Sequence, residues 1–441
     1  MSRTTSTVAQ PISRRRLLKA SAAGFLLLPA LSACQGGLPV IGGKTTVTAL
    51  LQSGQISEAR YNPVLEKFRQ RNPQIEVQVN FGGASAAEIQ QKLLTLIAGG
   101  TPPDLFWTHT YINGSLAKRG VTFDLNTYIK SDKEFRIDDY FPTTLKEFEL
   151  DGKQHALPRE TTSTVLVYNK TLFEQQGVQP PQPTWTWEDF LKAAQALTKG
   201  EGATRQFGAA GFQQQGFAWY TFIRVWHEGG DVLSPDRTRY TMNEEPGVRA
   251  VRWIQDLIHV HKVHAAAADL AGVGVDQVFK TGRVAMLINI SVYSAFQGAP
   301  FEWDIQHLPR TADGRQITRN ASAGHSLTAA SRNRDAAWTL LKYLASREVF
   351  EHMVSQGLTI PAHRAVAESP LHLNPDKPPR SQKIAVDALA YARPEPVAGD
   401  WIAVHREIAT ALEGVYGISR RDPKEALDAI AGRVNELIRK T

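Results

Sequence analysis

Between Thr46 and Trp107 the hydrophobic pattern alternates between strand and helix spacing, and this alternation narrows the chain to a layered α/β fold. Thr46 to Leu51 is a β-branched, apolar run that reads as a strand, ended by polar Gln52 to Ser57. Tyr61, Leu65 and Phe68 then recur at helical spacing until Asn72-Pro73. Ile75, Val77 and Val79 alternate with polar residues, the period of a half-buried strand. Ser85 with Glu88 three residues on forms a capping box, Ile89, Leu93, Leu96 and Ile97 line one helical face, and Gly99-Gly100 with Pro102-Pro103 closes the helix. Asp104 to Trp107 reads as a short buried strand. Strand, helix, strand, helix, strand is the order of an α/β sheet.

The middle and end of the chain use the same grammar. Thr164 to Tyr168 is an expected strand, and Thr186-Trp187-Glu188-Asp189 opens a helix through Leu197. Pro246 to His261 is an expected helix capped by Asn243. Ala285 to Asn289 reads as a buried strand, and Asp335 to Gly357 as one long helix with Leu340, Leu341, Leu344, Phe350 and Met353 inward. Asp422-Pro423 starts a last amphipathic helix, while Ser369 to Pro379, with four prolines in eleven residues, reads as an extended crossing.

Cys34 is the single cysteine of 441 residues, so no internal disulfide can form and a packed core must hold the fold. Before it stand Arg3, Arg14, Arg15, Arg16 and Lys19 without any acidic residue, then the apolar run Ala20 to Leu31. That is the layout of a secretory signal. The run is shorter than the roughly 20 residues that a membrane-crossing helix needs. Ser13 to Lys19 resembles a twin-arginine export motif and Leu31-Ser32-Ala33-Cys34 a lipobox, which makes Cys34 the expected lipidation site. Residues 1–33 are thus expected to be a signal peptide and 34–44, rich in glycine, a tether from the lipid anchor. Removing the signal takes five positive charges from the formal +7, leaving +2 on 408 residues. The apparent basicity lies mostly in the signal, so no nucleic-acid partner is expected. A body of that length suggests two lobes.

Spread over nearly the whole chain are motifs that together resemble the family 1 extracellular solute-binding proteins, which include maltose- and glycerol-3-phosphate-binding receptors. They are Phe68 to Pro73 with Ile75 and Val77, Gly100 to Trp107, Ala156-Leu157-Pro158 with Val165 to Lys170 and Leu172-Phe173, Gly177 to Trp187, Phe279 to Met286, Ala336 to Leu344 and Gly357 to Pro361. The resemblance implies a two-lobed periplasmic-binding-protein-like α/β fold of type II, with the ligand cleft between the lobes. Three hinge crossings would fall near Glu160 to Ser163, near Pro309 to Arg315, and in the proline-rich segment after Pro361. Lobe I would comprise 45–161 and 310–372, and lobe II 162–309 and 373–441.

A sugar offers apolar C–H faces and many hydroxyls, so its site needs flat aromatic surfaces and side chains that both donate and accept. Nine tryptophans supply the first. Trp107 and His109 follow a strand end, where ligands sit in open α/β sheets. Glu160 and Thr161 lie at the first crossing, and Trp219 follows the Gln- and Gly-rich loop Gln213 to Gly216. The resemblance adds Asn289, Ser291 and Tyr293, although Ile290 and Val292 replace the family's frequent Gly and Trp. It also adds Gly324 and His325 as a turn whose backbone amides approach ligand. Trp401 is a further aromatic platform. His259, His261 and His264, at i, i+2 and i+5, do not converge on one helix face, so neither a metal nor another cofactor is expected. The expected function is a monomeric, lipid-anchored receptor on the outer face of the cell membrane or in the periplasm. It would capture a mono- or oligosaccharide for ABC permease subunits with an ATPase behind them, and would not be an enzyme. The alternatives are a receptor for glycerol-3-phosphate or a glycerophosphodiester, or an exported carbohydrate-active enzyme with Glu160 as one of two carboxyls.

Overall fold

In the computed structural model, residues 43–212, 217–270 and 274–440 are described. The expected signal, lipobox and tether through Lys44 lie outside them save for Gly43 and Lys44, as does the Gln213–Gly216 loop. The first elements follow the sequence pattern: β1 (Thr45–Gln52), α1 (Gln55–Arg71), β2 (Ile75–Gly83), α2 (Ala86–Ala98), β3 (Leu105–His109) and α3 (Thr110–Lys118). Ser85 and Glu88 make the capping box at α2, each satisfying a backbone N–H that the helix start leaves open.

A 13-residue strand, β4 (Leu157–Asn169), follows, of which the expected Thr164–Tyr168 strand is only the far half. Next come α4 (Trp187–Leu197), β5 (Phe207–Ala210), α5 (Trp219–His227), α6 (Glu245–His259), β6 (Val284–Ile290), β7 (Trp303–Gln306) and β8 (Thr318–Leu327). The chain ends with α7 (Arg334–Leu344), α8 (Arg347–Ser355), β9 (Ile360–Pro361), β10 (Ala392–Arg393), α9 (Trp401–Tyr416) and α10 (Pro423–Arg439). Thr186 and Asp422 cap α4 and α10.

Four local expectations differ. The Asp335–Gly357 helix is two helices, because Ser346 leaves helical geometry (φ −78°, ψ 152°) and begins α8, a position serine favours. Asn243 does not cap α6: Glu244 holds the cap position, and the Asn243 amide donates to Asp428 Oδ1 at 2.8 Å. Ser369–Pro379 is a series of turns rather than an extended crossing, with Leu373 N on Ser369 O and Asp376 N on the Asn374 side chain. Residues 309–315 fold as a turn closed by Thr311 N to Arg315 O, and it is β8 that then runs on to β3.

Ten strands form one sheet along the path β2-β1-β3-β8-β4-β6-β5, with β7 and β9 on β4 and β10 on β8. β1 to β3 are parallel, whereas β8 is antiparallel to both β3 and β4. β4 is long enough to serve both ends of the sheet: its first half pairs with β8 and β9, its second with β6 and β7. Lys44–Thr441 is accordingly a single compact unit. No described helix is long and apolar enough to cross a membrane.

Candidate ligand-binding site

Strand register decides which side chains meet. Directly paired residues share a face and successive residues alternate. Trp107 pairs with His325, His109 with Ala323, Ala323 with Glu160, and Ala321 with Thr162, so one face carries Trp107, His109, Glu160, Thr162 and His325, with Arg319 two residues before Ala321. The same alternation turns Thr161 to the opposite face. It is fully buried, and its hydroxyl reaches only Ala321 O at 3.5 Å, so the side chain expected beside Glu160 is Thr162.

At the end of β3, His109 leaves the strand and caps α3, its Nδ1 accepting from Tyr111 N at 3.3 Å. Its ring packs on Tyr111 with centroids 4.5 Å apart. Tyr111 meets Phe217 at 6.5 Å, Phe217 stacks on Trp219 at 4.3 Å, and Arg319 lies 5.1 Å from the Trp219 ring centre. α9 brings Trp401 and His405 to the same place, with His405 5.3 Å from Tyr111 and 5.5 Å from Trp401.

Glu395 joins these pieces. Its Oε1 accepts from the Tyr111 hydroxyl at 3.0 Å and from Arg319 Nε, and its Oε2 accepts from Trp401 Nε1 at 2.8 Å with His405 Nε2 at 2.6 Å. Burial alone would push this carboxyl up. Arg319 and His405, with the hydrogen bonds from His405 and Trp401, outweigh burial and hold it well below the usual carboxylate range. Tyr111, Arg319, Glu395 and His405 were not singled out from the sequence. The one local signal was an arginine inside a strand of small residues, Thr318 to Leu327, every one of which is buried.

Beside this cluster, Arg159 pairs with Glu160 and donates from Nη1 to the Tyr61 hydroxyl at 2.6 Å, which lies 2.7 Å from His325 Nε2. Thr359 Oγ1 donates to Glu160 Oε2 at 3.3 Å. A cavity of about 840 Å³ opens here, lined by Arg60, Ser291, Val292, Tyr293 and Thr359 among others. At the other end a cavity of about 320 Å³ is lined by Gln90, Gln91, Tyr111 and Trp401.

The expected site residues divide between these places. Trp107, His109, Trp219 and Trp401 meet in or beside the aromatic cluster, and Glu160 and His325 in the Arg159 group. Asn289 is engaged on both sides, accepting from the Tyr220 hydroxyl at 2.9 Å and donating to Asp276 at 2.8 Å. Ser291 accepts from Ser163 N at 3.1 Å and lines the cavity of about 840 Å³. Tyr293 packs on Trp303 and leaves its hydroxyl unpartnered. Gly324 is required by strand packing rather than by an approaching ligand, since a Cβ there would stand 2.2 Å from Leu157 O.

Among the buried polar atoms without a partner are the indole Nε1 groups of Trp107 and Trp219. Such donors fit a ligand that brings acceptors. Among the described residues no group of three or more His, Cys, Asp or Glu converges to hold a metal ion.

Burial also makes the molecule acid-sensitive. It pushes His109, His227, His264 and His372 down to about 4 and His325 to about 3. Between about pH 6.5 and 4 the unfolded chain therefore takes up protons that the folded chain refuses, so stability falls as the pH drops through that window. The limit is about 1.4 kcal/mol per histidine per pH unit. The midpoint urea concentration should fall steeply from pH 6.5 to pH 5, and a flat midpoint would contradict this reading of the five histidines.

A family model described as bacterial extracellular solute-binding protein matches residues 53–349. The diacetylchitobiose binding protein DasA of Streptomyces coelicolor is 25% identical over 365 residues, covering 79% of this chain and 80% of that protein. Among solved structures, an ABC substrate-binding protein of Listeria monocytogenes in complex with cycloalternan superposes with a TM-score of 0.78 at 26% identity, covering 90% of this chain and all of that one. UgpB from Mycobacterium tuberculosis, in complex with glycerophosphocholine, superposes at 0.76 with 20% identity over 88% of this chain and 97% of its own, a likeness of fold.

Proposed function

The chain belongs to the bacterial extracellular solute-binding proteins, and on that premise we propose that it captures an uncharged mono- or oligosaccharide at the Trp107–Trp219 cluster. It is an ABC transporter solute-binding protein with the mixed α/β periplasmic-binding-protein fold, and the family is not one of enzymes. The observation that carries the neutral-sugar reading is the charge balance of the cluster. Each buried arginine already has its own carboxylate, Arg159 with Glu160 and Arg319 with Glu395, while two indole N–H groups have no partner. A phosphate or phosphodiester would call for an uncompensated cation. A sugar needs aromatic faces and hydrogen-bond donors, both of which are present.

In this reading residues 45–161 with 310–372 form one lobe and 162–309 with 373–441 the other, with β4 running on from the first into the second. Ligand shifts the population toward the closed form, which the permease pair recognises. Cys34 carries the lipid that holds the receptor at the outer face of the membrane, export running through the twin-arginine route. Relatives named for diacetylchitobiose, galactooligosaccharide and erythritol support a polyhydroxylated ligand.

The test is the melting temperature of residues 35–441 with a panel of sugars, polyols and phosphoglycerols, since a ligand that binds only the folded form raises it. A rise with one or more neutral saccharides is expected. A rise only with glycerophosphodiesters would replace the sugar reading, and release of products from an added oligosaccharide would overturn the receptor reading.

A further inference from the structure

The face of β4 and β8 turned away from Trp107 and Glu160 carries different chemistry. Here the register pairs Ser322 with Thr161 and Asn320 with Ser163, and the Asn113 amide reaches Thr108 at 3.4 Å and Ser326 at 3.1 Å. The serine hydroxyls are engaged: Ser163 donates to Ala385 O and Ser326 to His155 O, each at 2.7 Å, and Ser322 donates to Glu147. Asn320 stands apart, 1% exposed with neither its Nδ2 nor its Oδ1 partnered. It lines a cavity of about 600 Å³ together with Tyr111, Asn113, Glu147 and Glu395. That volume lies within the roughly 300–1,000 Å³ of small-molecule sites.

We propose that this rear cavity is a second binding site, which takes a small uncharged polyol and holds it by a pair of vicinal hydroxyls on the Asn320 carboxamide. A primary amide sets a donor beside an acceptor, and a vicinal diol returns an acceptor beside a donor, so one ligand satisfies both orphaned atoms. Leaving both unmade inside the protein is unfavourable, which gives the occupant its advantage. Neither of the lining carboxyls Glu147 and Glu395 calls for a cationic ligand. Burial pushes the Glu147 carboxyl up to about 8 in spite of the Ser322 hydroxyl, so at pH 7 it is mostly protonated and can donate. Glu395 is neutralised by Arg319. The exposed lining residues carry both signs, Lys118, Lys146, Arg237, Arg439 and Lys440 against Glu149, Asp151 and Asp236. The cavity shares Tyr111 and Glu395 with the Trp107–Trp219 cluster, and what is its own is the Asn320 amide on the opposite face of β8.

The probe is myo-inositol, titrated at pH 7 against residues 35–441, which contain the whole compact unit Lys44–Thr441, and followed by ligand-observed NMR and by the Asn320 side-chain amide resonance. Trp219→Ala is included so that stacking at the front cluster is removed. Saturable binding should persist in Trp219→Ala, shift the Asn320 amide, and weaken at least about ten-fold when Asn320→Leu is added. Absence of saturable binding, equal binding in the Asn320→Leu background, or an unmoved Asn320 amide in the unsubstituted chain would each overturn the proposal. The last of these is read without any variant, so a failure of Asn320→Leu to fold does not obscure it. Loss of sugar binding in Trp219→Ala alone bears on the front cluster and not on this cavity.

Discussion

Glu395→Ala is expected to lower the unfolding free energy by about 3–5 kcal/mol. The carboxylate is 6% exposed and takes hydrogen bonds from Tyr111, Arg319 and Trp401, with His405 against its second oxygen. Its loss leaves the Arg319 guanidinium, 2% exposed, as an uncompensated charge inside the protein. The penalty comes from the stranded charge and not from a large net value of the pair, because two desolvated ions recover little more than they lose on burial. A double change, Arg319→Met with Glu395→Leu, should therefore recover the part due to the stranded charge and no more, since Tyr111, Trp401 and His405 lose their acceptor in both variants. Urea unfolding of the three variants reads this directly. A loss under about 1 kcal/mol in Glu395→Ala would mean that water or a rearranged partner reaches Arg319, and the cluster would not be the closed network described.

The second large effect falls on binding. Trp219→Ala should weaken affinity for the saccharide by about 2 kcal/mol or more, roughly thirty-fold, with a smaller loss of unfolding free energy than Trp401→Ala. Trp219 is only half-buried; Phe217 stacks on its ring and Arg319 lies 5.1 Å from the ring centre, but its indole nitrogen is a donor that the fold itself does not use. Trp401 offers the contrast. It is 1% exposed with its nitrogen already given to Glu395, so Trp401→Ala should act through stability, at about 3–5 kcal/mol for a large buried side chain. Calorimetric titration beside urea unfolding separates the two. Unchanged affinity in Trp219→Ala would remove the ring from the site.

What the sequence made legible was local. The alternating periods placed β1 to β3, and the short polar signals at Ser85, Thr186 and Asp422 placed helix starts, because a cap is a contact between near neighbours. Strand-end position and aromatic character were enough to pick Trp107, His109, Trp219 and Trp401, which the fold brings together from distant parts of the chain. What joins them was not legible, since Arg319 and Glu395 are 76 residues apart and nothing near either one names the other. Thr161 shows the sensitivity of strand reasoning to a single step: one residue along β4 is the opposite face, and the register that decides it belongs to β8. Asn289 and Ser291 read as ligand-facing, but their polar atoms close contacts to Tyr220, Asp276 and Ser163 that only the assembled sheet creates.

The central claim is that a neutral saccharide is held at the Trp107–Trp219 cluster. Its most direct test is a crystal structure of residues 35–441 with whichever sugar raises the melting temperature most. The account predicts an intact ligand with a ring face against Trp219 and a hydroxyl within hydrogen-bonding distance of Trp107 Nε1, and with Arg159–Glu160 and Arg319–Glu395 still paired. A ligand bound away from both indoles, or one whose charge separates Arg319 from Glu395, would contradict it.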